Sequence, residues 1–266
     1  MKEKTALIIF TFTVLMSAST LCRAQTAMKI ACDIWPPYQM EQGGVLTGYS
    51  VELVHAVYDR MNLSKNYTIT AYPWSRSLDM IERGTADALF SANYTPKREI
   101  FAVYPNEPLI ETPWVLWTTT RHQIKTMRDL YKLRVGVVQT YSYTPKFWNF
   151  IKTYCTVDEV GTDEINFKKL AAGRIDVTVA ELANGLFLRK RLDAKSIVPL
   201  ENLSIKTTGL YIIFNKNNVP AEFVKSFSQE LKQFKQTPRY QELKTRYFYQ
   251  DELIQQLLPN NINKTH

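Results

Sequence analysis

Three histidines, three cysteines and nine glycines are spread thinly through 266 residues, and each scarcity closes off a class of function. His55, His122 and His266 stand far apart, and none comes with a nucleophile and an orienting acid, so no catalytic residue is expected. No Cys/His grouping has the spacing of a zinc site, so no metal is expected. No glycine-rich phosphate loop is present, and no cofactor is expected. After residue 24 there is no second long apolar run that would read as a membrane span. The formal charge is +8, but the positive residues (Lys97-Arg98, Arg189-Lys190-Arg191, Lys206, Lys244) are scattered and not interleaved with aromatics. That pattern reads as a solvated basic surface, with no nucleic-acid partner.

What the chain does have begins with a leader. Met1-Lys2-Glu3-Lys4 is a charged head, Ala6 to Ala18 is apolar, and Cys22 and Ala24 put small residues where a signal peptidase reads. Residues 1–24 are therefore expected to be a cleaved secretory signal peptide, which places the mature protein in the periplasm. Its removal brings the net charge to about +6. Ser19-Thr20-Leu21 ahead of Cys22 lacks the small residue that precedes a lipidated cysteine. Export permits a disulfide between Cys32 and Cys155, but they fall in what read as separate lobes, so free buried thiols are expected.

The remainder, in a chain 45% hydrophobic and 22% charged, suits one or two domains with a proper core. Met28 to Asp33 reads as a strand ending in an acid, followed by the stiff aromatic loop Trp35-Pro36-Pro37-Tyr38. Ser50 reads as the N-cap of a helix with Val51, Val54, Val57, Tyr58 and Met61 on one face. Tyr67 to Tyr72 reads as a strand, and Pro73 starts a helix that stops at Gly84. This alternation implies a parallel sheet with helices on its faces.

The plan repeats. Leu133 to Val138 is a near-continuous apolar run, and helices are expected over 145–154 and 163–172. Gly173-Arg174-Ile175-Asp176 mirrors Gly84-Thr85-Ala86-Asp87, each an aspartate entering an apolar strand after a helix-stopping glycine. These two acids read as structural. Trp114 to Trp117 and Thr207 to Phe214 read as strands that carry the chain out and back, leaving two lobes joined by two segments. Two amphipathic helices, about 221–235 and 238–248, close the fold.

The stretch Gly84 to Glu99 stands out chemically. The run Ala88-Leu89-Phe90 leads to Ser91 and Asn93, and then Thr95-Pro96 reads as a helix start carrying Arg98. Small polar groups at a strand end, helix N–H groups and a guanidinium together suit an anion. Read alone, the same window also fits a surface arginine and ordinary turn residues.

Taken in order, these pieces resemble the family 3 periplasmic solute-binding proteins, the amino-acid receptors of ABC importers. They are Asp33 with the aromatic loop, Gly48-Tyr49-Ser50-Val51-Glu52-Leu53, Gly84-x-x-Asp87, Thr95-x-x-Arg98, Leu133-x-Val135-Gly136-Val137 and Ala172-Gly173-Arg174-Ile175-Asp176. The resemblance implies a two-lobed α/β periplasmic-binding-protein fold of type II. Lobe 1 would be residues 25–111 with 207–256, lobe 2 residues 112–206, and 257–266 a loose tail. It implies that Arg98 binds a ligand carboxylate beside Ser91 and Asn93, and that Glu181 takes the ammonium. Thr140, Tyr141 and Ser142 would donate contacts from lobe 2, and Asp33, Trp35 and Trp74 would line the side-chain pocket. Two departures stand out: Glu181 replaces the usual Asp, and Thr140-Tyr141-Ser142-Tyr143 is bulkier than the usual loop. The implied partners of a monomeric receptor are a small ligand and an inner-membrane ABC permease or a sensor. The alternatives are a cleft enzyme such as a small dehydratase, with Glu181 or Asp33 as general acid, and a sensory binding module.

Overall fold

The computed structural model describes residues 27–64 and 66–248. The expected leader with Cys22, the expected tail with His266, and stretches 25–26 and 249–256 of the expected first lobe lie outside the described residues. Among the described residues no helix is long and apolar enough to cross a membrane.

The first half contains β1 (Met28–Cys32), β2 (Met40–Gln42), β3 (Val45–Thr47), α1 (Tyr49–Arg60), β4 (Tyr67–Ala71), α2 (Trp74–Glu82), β5 (Ala88–Asn93) and β6 (Ala102–Val103). β7 (Ile110–Thr119) leads to β8 (Arg134–Val138), α3 (Pro145–Tyr154), β9 (Thr156–Val160), α4 (Asp163–Ala171), β10 (Val177–Glu181) and α5 (Leu182–Arg191). β11 (Ile197–Asn215) returns the chain to α6 (Ala221–Phe234) and α7 (Pro238–Phe248).

Apart from the β2–β3 hairpin, the strands form one nine-stranded sheet in the order β4-β1-β5-β11-β7-β10-β8-β9, with β6 also on β11. Pairing is parallel within β4-β1-β5 and within β10-β8-β9. It is antiparallel where β5 meets β11, β11 meets β7 and β7 meets β10. Two parallel cassettes, one from each half, are thus joined through the long pair β7/β11, giving the two-lobed α/β plan. The interior strands β5 and β10 are buried at every position, whereas the edge strand β4 alternates between half-buried and exposed residues. α1 packs against α6 and α7, and Val54 and Val57 of α1 with Phe227 and Leu231 of α6 are fully buried in one core with Ile30 and Phe90 of the first cassette.

The internal repeat has a physical basis. Gly84 and Gly173 end their helices with φ of 71° and 67°. Three residues later the aspartate accepts the amide that opens the central strand of its cassette, Lys29 N to Asp87 Oδ2 at 2.7 Å and Arg134 N to Asp176 Oδ2 at 2.8 Å. Cys32 and Cys155 are free, one in each half.

Two expectations are corrected and one strand is added. α1 begins at Tyr49 with Gly48 as its N-cap, and Ser50 lies inside the helix, buried, accepting from Ser91 Oγ at 3.1 Å. The segment after Thr95 makes only a 3-10 turn, Arg98–Ile100, so it offers no helix N-terminus for an anion. β9 is an additional strand that apolar patterning misses, because the edge position tolerates Asp158 and Glu159.

Gly48 has φ 119°, and a Cβ there would lie 2.5 Å from the Tyr38 carbonyl oxygen. Gly48→Ala should lower the unfolding free energy by about 3 kcal/mol. Gly43→Ala, in a turn with open space around it, should cost about 1 kcal/mol. Urea denaturation of the two variants checks the contrast, and equal losses would show that the Tyr38 contact does not matter.

Candidate functional site

Parallel strands present their C-terminal ends on one side, and the loops there meet at the junction of the cassettes. β1 delivers Asp33 and Trp35, β4 delivers Trp74 at the start of α2, and β5 delivers Ser91 and Asn93 with Arg98 beyond them. The loop after β8 delivers Tyr141 and Ser142, and β7 adds Trp114. These nine residues line one small cavity of about 20 Å³. Among the described residues no cluster of three His, Cys, Asp or Glu side chains could hold a metal.

Two cations stand at this cavity, Arg98 in its lining and Lys206 behind it. Arg98 is only 5% exposed. Its Nη1 donates to the Asn93 carbonyl at 2.7 Å, and its guanidinium carbon sits 5.2 Å from the centre of the Trp74 ring. Lys206, half-buried on β11, stands just behind the wall. Its Nζ donates to Asn93 Oδ1 at 3.0 Å and to the Ser142 carbonyl, and lies 4.9 Å from the Trp114 ring centre. Burial lowers the pKa of Arg98, and burial together with the Arg98 charge pushes Lys206 down to about 8. No carboxylate among the described residues pairs with either cation. The indole Nε1 groups of Trp74 and Trp114 are buried donors with no partner.

Two acids stand near these cations: Asp33 lines the same cavity as Arg98, and Asp163 lies behind Trp35 and Tyr141. Asp163, the first residue of α4, accepts from Trp35 Nε1 at 2.9 Å and Tyr141 OH at 3.1 Å through Oδ2. Its Oδ1 is buried and has no partner. Burial pushes Asp33 and Asp163 each up to about 7, with the Asp163 charge adding to the effect on Asp33 and that of Glu181 to the effect on Asp163. No lysine or arginine contributes to holding either of them down.

Of the residues picked out in the sequence, Arg98, Ser91, Asn93, Asp33, Trp35, Trp74, Tyr141 and Ser142 share the cavity, and two do not. Thr140 is exposed and turns the chain with φ 62°. Glu181 is fully buried as the N-cap of α5, accepting from Ala183 N at 2.9 Å, Asn184 N at 2.8 Å and the Thr112 hydroxyl. The stack Trp114–Trp35–Tyr38, with ring centres 5.8 and 4.8 Å apart, runs from the cavity wall to Tyr38, whose hydroxyl also bonds to Glu181. The ammonium role implied for Glu181 therefore does not match its surroundings. The Ser91 hydroxyl is likewise engaged, with Gln39 Nε2 at 2.5 Å and with Ser50. Sequence reasoning missed Asp163, Lys206 and Trp114 as site residues. Asp163 was visible only as an acid at the start of the helix expected over 163–172, since the strand before it was not read from the sequence.

The chain belongs to the bacterial extracellular solute-binding proteins, family 3, whose family model matches residues 28–250. It is similar in structure to an ancestral arginine-binding protein bound to arginine, with TM-score 0.74, 17% identity and coverage of 84% of this chain and 98% of the other. A histidine kinase sensor domain with similarity to periplasmic binding proteins matches with TM-score 0.73 and 19% identity, over 85% of this chain and 97% of that one. The ancestral amino acid-binding protein AncCDT-1, a precursor of cyclohexadienyl dehydratase, matches with TM-score 0.71 and 18% identity, over 85% and 96%. At these identities the likeness is one of fold. No curated protein sequence matches the chain.

Glu181→Ala removes a helix cap and leaves Thr112 without its acceptor, so it should cost about 2 kcal/mol of stability. Chemical denaturation measures it, and a variant as stable as the parent would remove the capping assignment.

Proposed function

We propose that this chain is an exported, monomeric receptor that captures a small bipolar ligand and presents it to an ABC-type permease or to a sensor. The ligand carboxylate meets Arg98, with the charge of Lys206 behind it, and the ligand ammonium meets Asp33 and Asp163. The observation that carries this reading is unpaired charge of both signs at one cavity: Arg98 and Asp33 line it, and Lys206 and Asp163 stand behind its walls. Isolated charges away from water are costly, and a ligand of complementary poles offsets that cost at both ends. The amino-acid-binding proteins of the same fold support an amino acid or related compound as the ligand.

Residues 25–111 with 207–256 and residues 112–206 act as the two jaws, with β7 and β11 as the hinge. The bonds Trp35 Nε1 to Asp163, Ser142 Oγ to Asn93 Oδ1 at 3.3 Å and Asn184 Nδ2 to Pro36 O at 2.5 Å cross between them. Closure needs a ligand that favours the closed arrangement, which a bipolar molecule touching both jaws supplies. The sensor-domain neighbour keeps a signalling partner beside the permease.

One observation favours a second reading. Two buried carboxyls titrating at about 7 are suited to donate a proton, and AncCDT-1 is described as a dehydratase precursor. Loss of water from a candidate carboxylate, abolished by Asp33→Asn, would move the assignment to an enzyme.

Arg98→Ala should abolish ligand binding in calorimetry while the thermal transition of the free protein persists, and unchanged affinity would reject the role. The pH dependence has a definite sign. Below about 7 the acids take up protons and lose the ammonium, so affinity falls by up to about tenfold per unit for each group. Above about 8 Lys206 gives up its proton and carboxylate binding weakens. Affinity should therefore peak between these values, and a profile flat from pH 5 to pH 9, on the order of those limits, would contradict the pole assignment.

A further inference from the structure

One end of the second cassette carries chemistry that the receptor reading leaves unused. Tyr131 stands just ahead of β8 and Tyr154 just ahead of β9, and these strands run parallel. Both tyrosines therefore lie at the opposite strand ends from the loop with Tyr141 and Ser142. They are 46% and 44% exposed. Their rings lie 4.7 Å apart, and the half-buried Phe150 of α3 touches both, at 5.9 and 5.2 Å. The Lys132 amide donates to the Tyr154 carbonyl at 2.8 Å and so holds the two segments side by side. A single exposed apolar group is ordinary, but rings in mutual contact at a surface point to an interaction.

The rim of this trio is basic. Arg128 and Lys132 flank Tyr131 in the chain, and Lys146 lies one helical turn before Phe150 on α3. All three are exposed, and none is in an ion pair with a described residue. α3 contains no acid. Of the acids closest in the chain, Asp129 accepts from the amides of Lys125 and Thr126, Asp158 pairs with Lys169, and Asp176 pairs with Arg134. Glu159 sits near the other end of β9. No window of the sequence shows this grouping, because the segments at 131 and 154 meet only in the fold.

We propose that this face docks reversibly on a bilayer surface rich in anionic phospholipid. Tyrosine rings are amphipathic and settle at headgroup depth, while lysine stems lie along apolar surface and their heads reach phosphate. Shallow apolar insertion and a few basic residues act together to give reversible attachment. A fluid headgroup layer accepts flexible basic side chains in any arrangement, whereas an acidic protein would need acids matched to them. The inference goes beyond the receptor reading and needs only that the exported chain meets a membrane.

Co-sedimentation of the full exported chain with vesicles tests it. Phosphatidylcholine vesicles with about 30% phosphatidylglycerol should bind the chain about tenfold or more tighter than phosphatidylcholine alone, and added salt should weaken that binding. Lys132→Glu with Lys146→Glu should reduce binding about tenfold or more. Lys225→Glu with Lys232→Glu, the same charge change at exposed positions of α6, should alter it less than about threefold. Tyr131→Ser with Tyr154→Ser should also lower it about tenfold. If the tyrosine variant fails to fold, the exposed lysine pair carries the test alone. Absence of binding to the anionic vesicles at low salt overturns the proposal. So does an equal loss from the two lysine pairs, which would make the effect one of net charge. Poly-glutamate bound in place of the vesicles, and lost with Lys132 and Lys146, reassigns the face to an acidic protein and overturns the lipid assignment.

Discussion

Asn93 engages its carbonyl and both polar atoms of its side chain where the two halves meet. Its carbonyl accepts from Arg98 Nη1 at 2.7 Å and from Tyr104 OH at 3.1 Å. Its Oδ1 accepts from Lys206 and Ser142, and its Nδ2 donates to the Gly209 carbonyl at 3.2 Å. One buried residue at the end of β5 therefore aims the guanidinium through its carbonyl, and through its side chain anchors the lysine from the return strand and touches the loop of the opposite cassette. The positive pole depends on this network, since neither cation has an acid to hold it in place. Strong hydrogen bonds to charged donors are what keep such groups ordered when they are taken out of water.

The same logic explains why Glu181 and Asp163 differ although both are buried acids near the cleft. Glu181 has its charge absorbed by two amides at the start of α5 and by the hydroxyls of Thr112 and Tyr38. Nothing is left over for a ligand. Asp163 is bonded through one oxygen only, by an indole N–H and a phenol, and its other oxygen is free. A carboxylate that is satisfied internally stabilises a helix, and one that is half satisfied at a cavity wall is available for recognition.

Much of this was legible in the sequence where local physics decides the outcome. The apolar runs at Ala88-Leu89-Phe90 and Leu133 to Val138 lie in or overlap buried strands, and each Gly-x-x-Asp unit is a helix stop followed by an amide-binding acid. The location of Arg98 was legible, but not its setting: the expected helix after Thr95 is a single 3-10 turn, and the arginine is oriented by Asn93. Glu181 was matched by position, and position does not reveal that the first amides of α5 claim both oxygens. Asp163, Trp114 and Lys206 belong to three different elements and converge only through the sheet order, which pattern alone does not encode.

Lys206 shows why such convergence escapes a linear reading. A regular strand alternates its side chains, and a lysine in Ser204-Ile205-Lys206 would be assigned to solvent on that basis. β11 is irregular there: its register against β7 shifts between Leu200 and Ser204 and again between Ser204 and Lys206, so that Lys206 comes to stand opposite Trp114. A bulge bends its strand and re-aims the residues beside it. Placed on the pair of strands that joins the cassettes, it brings a cation of the return strand to the back of the cavity. The segment that links the two halves thus also carries part of the positive charge at the cavity.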